Sequence, residues 1–280
     1  VCDRKGNKLN IYSVYAKVYT HTFTHPVLDL CASPNGSYAV LTAARGYRSG
    51  IEVYDSNFRI IFYYYFADRY ASGIGLSKDG SRAAITTLSN TSDGEFLGGM
   101  HVFNTSDAKD FVFFEYKGEI PWKVYFLQNG SYILLTNKRL RIYSPSNELA
   151  STVEFGEQSP KGYSFNDDYI ALSLSAAGLS NATTIKFYNA AGEYLGEKSY
   201  HNNVSALDMA GGYAYIYSVG TLYTIDLKTM ETVLKEDLGL AYISALDDKD
   251  EKRIIFLYKN KAVFYGSGTY ITSKENGGKG

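Results

Sequence analysis

Short apolar runs separated by turn residues make up the whole chain, and one arrangement of them keeps returning. Val27-Leu28-Asp29-Leu30 and Tyr38-Ala39-Val40-Leu41 flank Ser33-Pro34-Asn35-Gly36. Asn-Gly between strand-like runs reads as a tight two-residue hairpin turn with positive φ at its centre. The phrase returns as Ser77-Lys78-Asp79-Gly80 before Ala83-Ala84-Ile85, and as Leu127-Gln128-Asn129-Gly130 before Tyr132-Ile133-Leu134-Leu135. Looser copies stand at Phe165-Asn166-Asp167-Asp168, Met209-Ala210-Gly211-Gly212 and Asp247-Asp248-Lys249-Asp250.

A second pair of runs follows each hairpin. Gly50-Ile51-Glu52-Val53-Tyr54-Asp55 leads to Arg59-Ile60-Ile61-Phe62-Tyr63, and Arg139-Leu140-Arg141-Ile142-Tyr143-Ser144 leads to Ser151-Thr152-Val153-Glu154-Phe155. Hairpin plus pair makes a repeat of strands A, B, C and D in about 36 to 50 residues, the mark of a β-propeller blade. No stretch sustains the 3.6-residue period of an amphipathic helix, so almost no helix is expected. C strands are marked by Tyr12, Tyr54, Phe103, Tyr143, Tyr188, Ile225 and Tyr265, one more than the A-B hairpins. The expectation is an all-β propeller of four-stranded antiparallel blades spanning residues 1–280 as a single domain. Seven blades, the first truncated at the N-terminus, fit the count best; six, with the N-terminal strands closing the last sheet, are the alternative. Residues 273–280 are expected to be a flexible tail.

Composition agrees with strands: the chain is 45% hydrophobic and holds 27 Tyr among its 280 residues, and aromatic residues favour a pleated, half-buried surface. A formal net charge of −1 offers no field to draw nucleic acid or an anionic membrane. Cys2 and Cys31 are too few for a disulfide framework and read as small strand residues. The longest apolar run, Ile60 to Ala67, is 8 residues, too short to cross a bilayer as a helix. The expectation is therefore a monomer with no membrane contact of its own. The chain opens mid-repeat, so its upstream part is expected to be missing.

With phrases such as Ser77-Lys78-Asp79-Gly80 and closers such as Ile51-Glu52-Val53-Tyr54-Asp55, the sequence resembles WD40-like and quinoprotein-like propellers. It is most similar to an uncharacterised propeller family of Gram-positive bacteria, carried behind one N-terminal membrane span. The resemblance covers essentially the whole chain and implies an extracellular or cell-surface domain of unknown role, tethered by a span absent from this sequence. A single Trp, Trp122, cannot supply the Trp-per-blade docking of quinoprotein enzymes. No quinone or other cofactor is expected.

Catalytic motifs with fixed ligand or donor spacing are missing: zinc helices, nucleophile elbows, phosphate loops and Cys pairs. Gly73-Ile74-Gly75 is followed by Lys78 where a dinucleotide loop needs Gly, and it opens no βαβ unit. Asp247 to Glu251 lacks the central Gly and distal Glu of a calcium loop. His21, His25, His101 and His201 have no metal-ligand spacing. Asn-x-Ser/Thr triplets at Asn35, Asn90, Asn104, Asn129, Asn181 and Asn203 fit turn chemistry.

Geometry then decides where a site would lie. D-A and B-C connections emerge at one end of each blade, and the B-C stretches Ala43–Gly50, Ser89–Gly99 and Ala176–Ala182 are the ones expected to lengthen into loops. Tyr47, Arg48, Arg69, Tyr70, Trp122, Lys123 and His201 lie there, a composition that suits a binding surface for a protein or glycan partner. Packing of Trp122 between blades is the other reading of that residue. The function expected is a non-enzymatic binding or scaffold module; the alternative is a hydrolase or lyase whose carboxylates converge on the central channel from different blades.

Overall fold

The computed structural model describes residues 5–13, 15–175 and 182–238, with the strands Ala245–Asp248, Arg253–Leu257, Ala262–Gly266 and Thr269–Ile271. Cys2, the 273–280 tail, residues 176–181 of the third B-C stretch and residues 249–251 of the acidic turn lie outside the described residues. Within them the chain is all-β, without helix: a two-stranded hairpin and six four-stranded antiparallel sheets, each in sequence order.

The chain forms two compact units, Val1–Glu154 and Phe155–Gly280. Unit 1 opens with the hairpin β1 (Lys8–Tyr12) and β2 (Lys17–Thr22). Its first sheet is β3 (Val27–Ala32), β4 (Tyr38–Ala44), β5 (Tyr47–Tyr54) and β6 (Ile60–Phe66). The second is β7 (Tyr70–Leu76), β8 (Arg82–Asn90), β9 (Phe96–Asn104) and β10 (Asp107–Lys117), and the third β11 (Pro121–Phe126), β12 (Tyr132–Thr136), β13 (Arg139–Tyr143) and β14 (Leu149–Glu154). Unit 2 holds β15 (Ser159–Phe165), β16 (Tyr169–Ser175), β17 (Thr183–Asn189) and β18 (Tyr194–Tyr200), then β19 (Val204–Ala210), β20 (Tyr213–Ser218), β21 (Thr221–Asp226) and β22 (Thr232–Asp237). Its last sheet is β23 (Ala245–Asp248), β24 (Arg253–Leu257), β25 (Ala262–Gly266) and β26 (Thr269–Ile271). The hairpin β1–β2 is a sheet of its own, and β23–β26 draws all its strands from its own stretch of chain.

Burial follows strand position. In β4 and β12 the middle of the strand is apolar without interruption and buried throughout, because neighbours cover both faces of the sheet. In the outer strands β14 and β22 exposed and half-buried residues alternate. The cores lie between consecutive sheets: Leu41, Ile51, Val53 and Phe62 of the first sheet pack on Ile74, Ile85 and Phe103 of the second. Ile185 and Phe187 meet Ile216 and Ile225 in the same way in unit 2. Each such buried side chain contributes about 1.5–3 kcal/mol.

The turns hold the repeat in register, though not by the two-residue geometry expected for Asn35-Gly36. The Gly36 amide donates to Ser33 O at 3.0 Å and Ser33 N–H to Ser37 O at 2.8 Å, which closes a loop over Pro34, Asn35 and Gly36. Only Gly36, at φ +87°, is left-handed. The copy without proline closes the same way, Gly130 N–H donating to Leu127 O at 3.0 Å and Leu127 N–H to Ser131 O at 2.8 Å with only Gly130 left-handed, as in a type I turn followed by a left-handed glycine. Asn35 Oδ1 accepts from Ser37 N–H at 2.9 Å, Asp79 Oδ1 from Ser81 N–H at 3.0 Å and Asn129 Oδ1 from Ser131 N–H at 3.0 Å. Residues that close C strands do the same for the next turn: Asp55 Oδ1 accepts from Asn57 N–H at 2.8 Å, and Asn189 Oδ1 from Ala191 N–H at 3.0 Å.

The B-C stretches differ from the expectation of loops. Ala44 pairs with Tyr47, so Ala43–Gly50 is a continuing hairpin that turns at Arg45-Gly46. Asn90 pairs with Phe96, which leaves only residues 91–95 of the second stretch outside the strands. Tyr, Thr and Phe in these stretches favour extended backbone, and one glycine at the tip lets the ladder run to its end.

Candidate functional site

The inner strands of unit 1, β3, β7 and β11, pack side by side. This needs backbone-to-backbone approach: a Cβ on Gly75 would lie 2.8 Å from Val124 O, and one on Gly73 3.0 Å from Trp122 O. The Gly73-Ile74-Gly75 pattern thus belongs to sheet packing. The inner strands β3, β7, β11, β15 and β19 also slip their register once near their start, which leaves Leu28, Ser72 and Trp122 bulged in unit 1 and Lys161 and Ser205 bulged in unit 2. A bulge re-aims its side chain, and Trp122 is 37% exposed as a result of standing at one. Beside it, Lys123 Nζ donates to Ile74 O at 3.3 Å and lies 3.8 Å from Asp29 Oδ2, which accepts from Ile74 N–H at 3.2 Å. The carboxylate on β3 therefore faces an ammonium across the inner strands.

Arg48 and Tyr70 are brought together. The guanidinium carbon lies 4.7 Å from the centre of the Tyr70 ring, and Arg48 donates to the Tyr70 hydroxyl. Tyr70 is 54% exposed and Tyr47, the next residue on β5, is 49% exposed. Arg69 turns inward instead: it is 8% exposed, donates to Glu115 Oε2 at 3.0 Å and to Leu97 O at 3.3 Å, and covers the Phe113 ring at 4.7 Å. Those partners spend its donors within the fold. Trp122 and Lys123 belong to a different element, β11, with the partners just given. His201 is exposed in the β18–β19 connection of unit 2.

Residues outside the predicted set complete the surface. Tyr65 on β6 stacks on Tyr47 with ring centres 5.1 Å apart, and Tyr63 flanks Tyr65 at 6.1 Å. Their sequence signal is Tyr63-Tyr64-Tyr65: an outer strand turns alternate residues to solvent, so a run of rings there must expose some of them. Between these rings and the β2–β3 connection lies an open cleft of about 420 Å³, lined among others by Thr24, His25, Arg45 and Glu52. Glu52 accepts from the Tyr54 hydroxyl, and His25 Nε2 accepts from Arg45 N–H at 3.3 Å.

Elsewhere in unit 1 the titratable groups serve the core. Glu119 accepts from both terminal guanidinium nitrogens of Arg141 at 2.8 Å and from the Thr136 hydroxyl at 2.8 Å, and forms an ion pair with Arg139, whose Nε lies at 3.2 Å. Burial pushes its pKa up, and those bonds and charges more than reverse it, holding the carboxyl below its ordinary range. Cys31 packs against the core and burial pushes its thiol up to about 12. Among the described residues no three His, Cys, Asp or Glu side chains gather as metal ligands.

No curated protein matches the chain. Among solved structures it is similar to Kuenenia stuttgartiensis hydrazine synthase, with a TM-score of 0.59 and 13% identity over 84% of this chain and 75% of that one. It is also similar to Saccharomyces cerevisiae Sqt1, with a TM-score of 0.62 and 12% identity over 91% and 76% of the two chains. A functionally unknown protein of Desulfotomaculum acetoxidans gives a TM-score of 0.61 and 11% identity over 97% and 93%. At these identities the likeness carries the fold, an all-β propeller, and no activity. Residues 1–263 match DUF5711, a family of unknown function, and the chain belongs to that family.

Proposed function

We propose that the chain is a non-enzymatic binding or scaffold module that takes a protein or glycan partner at the D-A and B-C end of unit 1. The observation that carries this reading is the exposed set Tyr47, Arg48, Tyr63, Tyr65 and Tyr70, held on strands rather than on loops. Tyr gives a large contact area at low entropic cost, and Arg beside it adds forked donors. Trp122, exposed at its bulge, is the anchor on β11. Lys123 and Arg69 support the surface by fixing Asp29 and Glu115. The resemblance to Gram-positive propellers carried behind a membrane span motivates placing the module outside the cytoplasm.

The test is capture from an envelope extract, together with melting temperature, for Arg48→Ala and Trp122→Ala. Each variant is expected to keep its melting temperature and to lose capture, with a loss of roughly 2–4 kcal/mol of binding at a hot spot. Unchanged capture by both folded variants removes the reading.

A further inference from the structure

Resting on unit 1 as a partner surface, we propose that the cleft beside its N-terminal hairpin is a subsite for a neutral, β-linked pyranose chain. One ring would lie on the Tyr47–Tyr65 platform, and its hydroxyls would meet Glu52, His25 and Thr24. Tyr47 and Tyr65 in this lining stand outside the buried cores of unit 1.

The platform is open and preset. Tyr47 and Tyr65 stack at 26° between ring planes, and both are exposed, Tyr65 to 41%. A Cβ on Gly50 would lie 2.8 Å from the Tyr65 ring, so the missing side chain is what lets that ring lie against the strand. A pyranose with equatorial substituents shows a flat face of axial C–H bonds, and covering an aromatic ring with that face removes apolar area from water on both sides. Its hydroxyls project from the ring edge, where they need acceptors and donors together.

The floor of the cleft supplies both. The Glu52 Oε2 atom accepts from Tyr54, which leaves Oε1 for a ligand hydroxyl. A neutral His25 that accepts at Nε2 from Arg45 N–H carries its proton on Nδ1, a donor. Arg45 and Glu52 balance in charge, which favours a neutral ligand over a phosphate. A cleft of about 420 Å³ falls in the range of small-molecule sites, roughly 300–1,000 Å³. A proline-rich peptide also seeks tyrosine-lined grooves. Its backbone offers carbonyl acceptors almost alone, however, and these cannot pair with Glu52.

Calorimetric titration of the whole chain with cellotetraose, with the tetramer of N-acetylglucosamine and with a proline-rich decapeptide tests the assignment. At least one tetraose is expected to bind. Tyr47→Ala and Glu52→Gln should each weaken it tenfold or more, about 1.4 kcal/mol, at unchanged melting temperature, while Tyr47→Phe keeps the stacking and the affinity. No binding of either tetraose, equal affinity in Tyr47→Ala, or binding of the peptide alone overturns the proposal. The Arg48→Ala and Trp122→Ala captures separate the two readings. If those variants lose their partner while the tetraoses fail, the partner surface stands and the saccharide assignment falls.

Discussion

His101 sits among the rings of Phe66, Phe103, Phe111 and Phe113, and its Nδ1 has no partner. Burial first and the Arg69 charge second push its pKa from 6.5 to about 4, against the opposing charge of Asp68. The unfolded imidazole therefore binds a proton at higher pH than the folded one. Stability is full above pH 6.5 and is lost as the pH falls towards 4, by roughly 3 kcal/mol in all. Urea midpoints at a series of pH values should show that limb in the native chain and a flattened one in His101→Leu; parallel curves would refute the assignment. Glu119 acts lower on the scale. Its folded pKa is depressed, so its contribution is present above the ordinary carboxylate range and is lost as the pH falls through the folded value. Glu119→Gln at neutral pH leaves the Arg141 charge without a counter-ion, while Arg139 keeps Glu154 at 3.1 Å, and should cost about 3 kcal/mol in an unfolding titration.

At the scale of the strand, the inner-strand contacts are set by the absence of side chains. Gly75→Ala should destabilise unit 1 by about 1–3 kcal/mol, because the new Cβ meets the Val124 backbone. Gly212→Ala, which has open space and no left-handed φ, should stay within about 0.5 kcal/mol of the parent. Equal melting temperatures for the two variants would show that the close approach does not matter. The repeat itself was legible because period and turn chemistry are local: Asn35, Asp79 and Asn129 act on an amide within their own turn. The turn type was not, since pairing across the hairpin, as between Ser33 N–H and Ser37 O or Leu127 N–H and Ser131 O, decides that three residues stand in the loop. Nor was the strand character of Ala43–Gly50, where pairing with a neighbour decides whether polar residues extend a hairpin or leave it. The bulges that expose Trp122 depend on register with β12, which no single stretch reveals.

For the whole molecule, burial between successive sheets makes stability a sum of neighbouring contacts within each unit. What remains exposed at the strand ends is then free to serve a partner. Arg48, Tyr47 and Tyr70 were legible as a surface because Arg and Tyr there have no packing pattern to satisfy. Arg69 looked equivalent, and only its distance to Glu115 shows it bound within the fold. Tyr65 was signalled only by its run of tyrosines, and Glu52 was hidden because its place in the cleft depends on how β5 pairs with β6 and lies beside the β2–β3 connection. The central claim, binding without turnover at this end of unit 1, is tested most directly by mass spectrometry of a captured partner before and after prolonged incubation with the protein. The account predicts a partner that is chemically unchanged and released by Arg48→Ala. A cleaved or otherwise converted partner, or one that Arg48→Ala retains undiminished, would contradict it.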